Sequence, residues 1–236
     1  MKLEYLFNLF ASLNFRVELM SESRAAKALS VLAICGIIVP VLYTTSVIVL
    51  GFLWPGYDHV TQFISELGGV GAPNAIIMNT IGFALTGLLE IAFAFGLHRG
   101  INEGKGSKIG PALVAVDGGA TVAVAFFPWD AANLASFTNI MHLMVGWTSS
   151  IAITLAPLVI AQRLKNDRQW KSYRVYCLAT GLVTAVLSVI FAFIGFIGDE
   201  GYMGAIQRIT AAPSLLWIEI MAIKLFRLSI RSNPPK

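Results

Sequence analysis

Sixteen of the seventeen Lys and Arg residues fall in alternate gaps between six apolar runs. The runs read Leu29 to Trp54, Asn74 to Leu97, Ile109 to Phe127, Thr138 to Ala161, Val175 to Ile197 and Ile206 to Phe226. Each is near the roughly 20 residues that carry a helix across ~30 Å of hydrocarbon. The bases occupy the N-terminal segment (Lys2, Arg16, Arg24, Lys27), the second gap (Arg99, Lys105, Lys108), the fourth gap (Arg163, Lys165, Arg168, Lys171, Arg174) and the C-terminal end (Lys224, Arg227, Arg231, Lys236). The other gaps contain none, and the remaining base, Arg208, begins the last run. Because cytoplasmic connectors collect Lys and Arg, the pattern predicts an all-α, polytopic six-helix transmembrane bundle in the cell membrane, with both termini cytoplasmic.

A hydrophobic fraction of 56% and a charged fraction of 13% in 236 residues leave little chain for a separate soluble domain. The expected organisation is a cytoplasmic amphipathic segment over 1–27, a transmembrane domain over 28–228 and a cytoplasmic tail over 229–236. Leu3, Leu6, Phe10, Leu13, Val17 and Met20 recur at helical spacing, which suits a helix lying on the inner leaflet. The net charge of +4 does not point to nucleic acid, because the bases sit where anionic headgroups attract them. Membrane lipids are the expected partners, and a homo-oligomer remains open. Cys35 and Cys177 lack any CxxC or ligand spacing and read as free thiols.

Polar residues at helical spacing inside an apolar run mark the face turned away from lipid. The second run carries Asn79, Gly82, Thr86 and Glu90 on one side, the fourth His142, Gly146 and Ser149, and the fifth Thr180, Thr184 and Ser188. In the third, Asp117 is followed by Gly118, Gly119 and Ala120, small residues that let helix backbones approach closely. Glu90, Asp117 and Glu219 fall at similar depth, so a cluster of intramembrane carboxylates is expected. From Tyr57 to Leu67, Val60, Phe63, Ile64 and Leu67 form an apolar stripe that predicts a short helix against the outer membrane surface.

The orientation groups Asp58, His59, Glu66, Asp130, Asp199 and Glu200 in outer gaps, with His142 and Arg208 near the same boundary. Imidazole and carboxylate are zinc ligands, so His59, Asp130 and His142 form a candidate metal set, with zinc the candidate cofactor. His59, Ser65, Glu66, Asp117 and His142 are the candidate catalytic groups, since a hydroxyl can be activated by imidazole and carboxylate. Asp58, Arg208, Asp199 and Glu200 are candidate ligand contacts. Arg208 cannot readily lose its charge and needs a carboxylate, an anionic ligand or water; Asp117, Asp130, Asp199 and Glu200 are its expected partners. No HExxH, HxxxH or GxSxG spacing is present.

In Tyr57-Asp58-His59, Ile64-Ser65-Glu66-Leu67-Gly68-Gly69 and Ala72-Pro73-Asn74, the chain resembles the prokaryotic membrane family catalogued as "domain of unknown function 998". Phe127-Pro128-Trp129-Asp130, His142 and the segment from Gly201 to Arg208 extend the resemblance over roughly residues 30 to 228. It implies a six-helix membrane protein whose outer-face residues matter, and no activity. The Ile-Ser-Glu-Leu-Gly segment is also similar to an outer loop of DRAM and Sfk-like membrane proteins, a group linked to lipid remodelling. The ceramidase-like membrane hydrolases use a late HxxxH motif that is absent here.

These features predict an outward-facing polar pocket that binds or processes a lipid headgroup or similar amphiphile. If the protein is an enzyme, a membrane-embedded hydrolase or transferase is expected. A small proton- or ion-coupled transporter using Glu90, Asp117 and Glu219, and a noncatalytic membrane scaffold, are the alternatives.

Overall fold

The computed structural model describes residues 2–101, 108–198 and 201–231, with side chains from residue 23 onward. Six helices account for most of it: α1 (Lys2–Phe52), α2 (Ala75–Gly100), α3 (Ile109–Val124), α4 (Phe137–Leu164), α5 (Arg174–Ile197) and α6 (Met203–Arg231). No strand occurs among the described residues. Apolar runs in hydrocarbon must satisfy their backbone groups internally, and a helix does so within one segment. The segments Ser23–Phe52, Ala75–Gly100, Phe137–Leu164, Lys171–Ile197 and Met203–Arg231 are long and apolar enough to cross a membrane, which makes this a multi-pass membrane protein by length and composition. The sixteen residues of α3 span about 24 Å. Bonds from the amides of Ala125, Phe126 and Phe127 to Val122, Ala123 and Val124 continue it as tight turns.

Local chemistry sets several helix ends. The Ser136 hydroxyl accepts from the Asn139 amide at 3.2 Å and caps α4, while Gly198 at φ 74° ends α5 in a left-handed conformation that a side chain disfavours. Trp170 Nε1 donates to the Gly100 carbonyl at 3.0 Å, and the Arg163 guanidinium donates to that of Ile101, so the carbonyls at the end of α2 are satisfied by the last turn of α4 and the connector after it. The helix α1 runs unbroken through the boundary expected at residue 28. The side chains of its amphipathic stripe, Leu3 to Met20, lie outside the described residues.

Each helix packs on its neighbours in sequence, and α6 closes the ring against α1. Between α2 and α3 the backbones touch: a Cβ on Gly118 would come within 2.7 Å of the Gly87 carbonyl oxygen, and one on Gly87 would collide with that of Gly118. The ring is solid at the end bearing the basic connectors. There Phe93, Leu97, Leu164, Trp170, Trp217 and Leu225 pack in one buried cluster, with Cys177 accepting from Trp217 Nε1 at 3.2 Å. A smaller cluster of Val47, Leu50, Ile64, Leu67, Met78 and Phe83 seals the α1–α2 side at the opposite end.

The α1–α2 connector departs from the expected surface helix. Only Ile64–Gly68 is helical, as a 3₁₀ turn. Upstream, Asp58 Oδ1 accepts from the Val60 amide at 2.8 Å and Gln62 Oε1 from the Asp58 amide at 2.8 Å. Such side-chain bonds to backbone compete with the helical ladder. Ile64 and Leu67 are buried against the bundle, so this half of the apolar stripe covers protein, while Val60 stays exposed.

Candidate functional site

Within the ring lies a cavity of about 620 Å³, to which all six helices contribute. Its walls include Tyr43 from α1, Phe83, Thr86 and Glu90 from α2, Asp117 and Thr121 from α3, His142, Gly146 and Ser149 from α4, Thr184 and Ser188 from α5, and Gln207 and Ser214 from α6. The polar stripes of α4 and α5 largely turn to one interior, as does the inner half of the α2 stripe. The outer half of the α2 stripe begins in a π-helical stretch, Met78–Leu85, and the hydroxyl of Thr86, just after it, reaches back to the Ile81 carbonyl at 3.2 Å. Single widened turns of this kind recur at functional sites. Asn79 lies outside the cavity lining and donates to the Gly68 carbonyl at 2.9 Å.

The cavity reaches the surface between α4 and α5. Leu143, Trp147 and Phe196 line it and are also 46%, 45% and 89% exposed. Toward the basic end the same two helices close: a Cβ on Gly181 would come within 2.5 Å of the Leu158 side chain. Gly146 faces open space, with nothing within 4 Å of where its Cβ would stand.

Glu90 and Asp117 meet on the cavity wall, with their carboxyl groups adjacent. They are 3% and 6% exposed. The Gly87–Gly118 crossing brings them together, because each carboxylate is one turn or less from its glycine. The Ser149 hydroxyl donates to Asp117 Oδ1 at 2.5 Å, whereas Glu90 Oε1 is buried without a partner. A carboxylate only accepts, so a direct hydrogen bond between the two acids requires a proton on at least one of them.

His142, 7% exposed, also lines the cavity. Its Nδ1 is 2.7 Å from the Phe127 carbonyl, which can only accept, so Nδ1 carries the hydrogen and Nε2 is the lone-pair nitrogen of the neutral ring. Trp129 packs edge-on against this ring at 5.7 Å, and Phe63 against Trp129 at 6.0 Å. The Val70 amide donates to the Trp129 carbonyl at 2.8 Å, joining the α1–α2 and α3–α4 connectors over the cavity.

Arg208 belongs to this cap and is not among the cavity-lining residues. Its Nη1 donates to the Gln62 and Gly204 carbonyls at 3.0 and 2.8 Å, and its Nη2 to the Tyr57 hydroxyl and His59 Nδ1 at 2.6 and 3.1 Å. Among the described residues these partners are carbonyl, phenol and imidazole, where carboxylates were expected. The reason is the close approach of α6: a Cβ on Gly204 would overlap the Gln62 carbonyl, and the Ala205 amide donates to Val60 at 2.8 Å. Burial holds the His59 ring below its ordinary pKa, with the Arg208 charge acting the same way and Asp58 opposing it. Burial raises the Tyr57 phenol against the lowering pull of Arg208.

The other candidates are spread around the cap. Glu66 accepts from the Phe63 amide and from Gln62 Nε2, each at 2.8 Å, and Ser65 lines the cavity. Asp58 and Asp130 both cap their own turns; Asp130 Oδ1 accepts from the Ala132 and Asn133 amides at 3.0 and 3.2 Å. Among the described residues no three His, Cys, Asp or Glu side chains are grouped to hold a metal ion. The zinc set of His59, Asp130 and His142 is therefore not assembled: one ring is bound to Arg208, the other to Phe127, and the carboxylate to its turn. Glu219 is absent from the cavity lining, because the buried face of α6 passes through Ser214, Trp217, Ile218, Met221 and Ala222 and leaves it on the flank. Asp199 and Glu200 lie outside the described residues. Sequence reasoning missed Tyr57, Gln62, Gln207 and Gly204; the Gln207 side chain accepts from the Ile64 amide at 2.7 Å, a tie between segments far apart in the chain that no local pattern signals.

The segments that carried the resemblance, 57–74, 127–130, His142 and 201–208, thus converge into one cap and the cavity wall beneath it. A family model described as "Protein of unknown function (DUF998)" matches residues 37–224. No curated protein and no solved structure matches the chain. With most of its length covered, and every one of the converging segments inside the match, the chain belongs to the DUF998 family.

Proposed function

We propose that this protein takes an amphiphile from the bilayer and holds its polar head in the cavity within the helix ring. The observation that carries this reading is the opening between α4 and α5, where Leu143, Trp147 and Phe196 are both exposed and cavity-lining. A molecule dissolved in the membrane can enter there without crossing water. The walls are largely apolar and aromatic with a few convergent polar groups, and about 620 Å³ falls within the ~300–1,000 Å³ usual for small-molecule sites. Glu90, Asp117 and His142 would meet the head, while Arg208 and His59 hold the cap. Binding is favoured over hydrolysis because His59 and Glu66 direct their hydrogen bonds to Arg208 and to the connector itself. Solvent extraction of the purified protein followed by lipid mass spectrometry tests the reading. A defined amphiphile near one per chain supports it, and only the non-selective lipid of the detergent shell rejects it.

The same reading has six crossings, with both termini and the basic connectors in the cytoplasm of the cell and the cap facing outward. The alternation of Lys and Arg supports it, as do the tight turns that continue α3 to Phe127. Reporter fusions in each connector test it, and an external C-terminus rejects it. Proton-coupled transport is a second reading, favoured by the two buried carboxyl groups, Glu90 and Asp117, on the cavity wall. Substrate-driven proton flux in liposomes, abolished by Asp117→Asn, would support transport over static binding.

A further inference from the structure

We propose that the head group taken by the cavity is a protonated amine, so that the ligand is a cationic, single-headed amphiphile. This deepens the amphiphile reading and rests on it. Glu90 and Asp117 both line the cavity at 3% and 6% exposed, and any charge on their carboxylates would be negative. Among the described residues no Lys or Arg lines the cavity. The Arg208 guanidinium is turned into the cap, with its Nη1 and Nη2 occupied by Gln62, Gly204, Tyr57 and His59. An anionic head would therefore face uncompensated carboxylate, whereas an ammonium would neutralise it in a poorly hydrated interior where ionic contacts are strong.

The hydrogen-bonding inventory gives the same answer independently of charge. Glu90 Oε1 is an acceptor left without a partner on a residue 3% exposed at the cavity wall. Asp117 accepts from Ser149 and, as a carboxylate, has further lone pairs. His142 has its Nδ1 hydrogen committed to Phe127, so Nε2 is an acceptor too. Three acceptors borne by three helices call for a donor-only head, and a primary ammonium has three N–H donors and no acceptor. Trp129 and Trp147 are also in the lining, and aromatic rings favour a cation.

The probe is dodecylammonium at pH 7, compared with dodecanol and dodecyl sulfate, on the full chain in maltoside micelles. Tryptophan fluorescence is the readout, because Trp129 and Trp147 line the cavity. Signal that survives in Gly146→Phe, in which the side chain occupies the open space beside Gly146, is subtracted as micelle partitioning. The wild-type protein should prefer dodecylammonium over both comparators by at least about tenfold. In Glu90→Gln/Asp117→Asn, which keeps the hydrogen-bonding shape and removes the charge, the preference over dodecanol should disappear. Cavity binding of dodecanol as tight as that of dodecylammonium overturns the amine inference and leaves the amphiphile reading standing. If no probe gives a Gly146→Phe-sensitive signal, both are overturned. Should the double variant fail to fold, the wild-type preference decides alone.

Discussion

The Arg208 guanidinium donates to the Tyr57 hydroxyl at 2.6 Å and to His59 Nδ1 at 3.1 Å, binding the first turns of α6 to the connector that follows α1. The same group reaches the Gln62 and Gly204 carbonyls, so one side chain organises most of the cap. Its removal leaves several part-buried acceptors without a donor, each worth about 1–3 kcal/mol. Arg208→Ala should lower stability by more than about 2 kcal/mol in detergent titration, and Arg208→Lys should restore only part of it, because an ammonium lacks the planar fork. Folded Arg208→Lys should retain its amphiphile. Loss of ligand at unchanged stability would return Arg208 to the binding site.

His59 gives the cap a pH dependence. A guanidinium can only donate, so the bond to Nδ1 needs that nitrogen unprotonated. The folded-state pKa lies below the ordinary 6.5, chiefly through burial, so the unfolded chain takes up the proton first as pH falls. The stabilisation is complete above about 6.5 and is lost as pH drops from there through the lower folded value. Melting temperature should fall between pH 7.5 and 5.5 in the wild type, and less in His59→Asn, which keeps an acceptor but does not titrate. Identical pH profiles for the two proteins would contradict this.

Neighbouring glycines of α3 should behave oppositely. A Cβ on Gly118 meets the Gly87 carbonyl and Ile91, whereas one on Gly119 meets nothing within 4 Å. Gly118→Ala should cost about 1–3 kcal/mol by forcing α2 and α3 apart, and should disturb the Glu90–Asp117 pair. Gly119→Ala should be neutral or stabilise by up to about 1 kcal/mol through helix propensity. Unfolding titrations of the two variants side by side check the crossing.

Much of this fold was legible before the structure. Lys and Arg alternation and six apolar runs marked the helices, and the Asp117-Gly118 step marked a close crossing, because helical periodicity and small-residue packing are local properties of a chain. The α1–α2 connector was misread since its outcome depends on Asp58 and Gln62 bonding the backbone and on α6 arriving at Gly204, a partner nearly 150 residues away. His59 and His142 share a depth, but depth says nothing about position around the ring, and their hydrogen bonds separate them onto Arg208 and Phe127. Glu219 was grouped with Glu90 and Asp117 for the same reason. The polar stripes signalled a shared interior, but its size and its opening between α4 and α5 had no sequence signal, because they depend on what fails to fill the space beside Gly146.

That space allows the central claim to be tested most directly, by measuring bound amphiphile per chain in the series Gly146→Ala, Gly146→Leu and Gly146→Phe, alongside melting temperature. Position 146 is helical and unobstructed, so each variant should fold at wild-type stability or above it. The account predicts that bound amphiphile falls stepwise with side-chain volume while melting temperature holds or rises. Amphiphile content independent of the side chain at 146, with all variants folded, would contradict it.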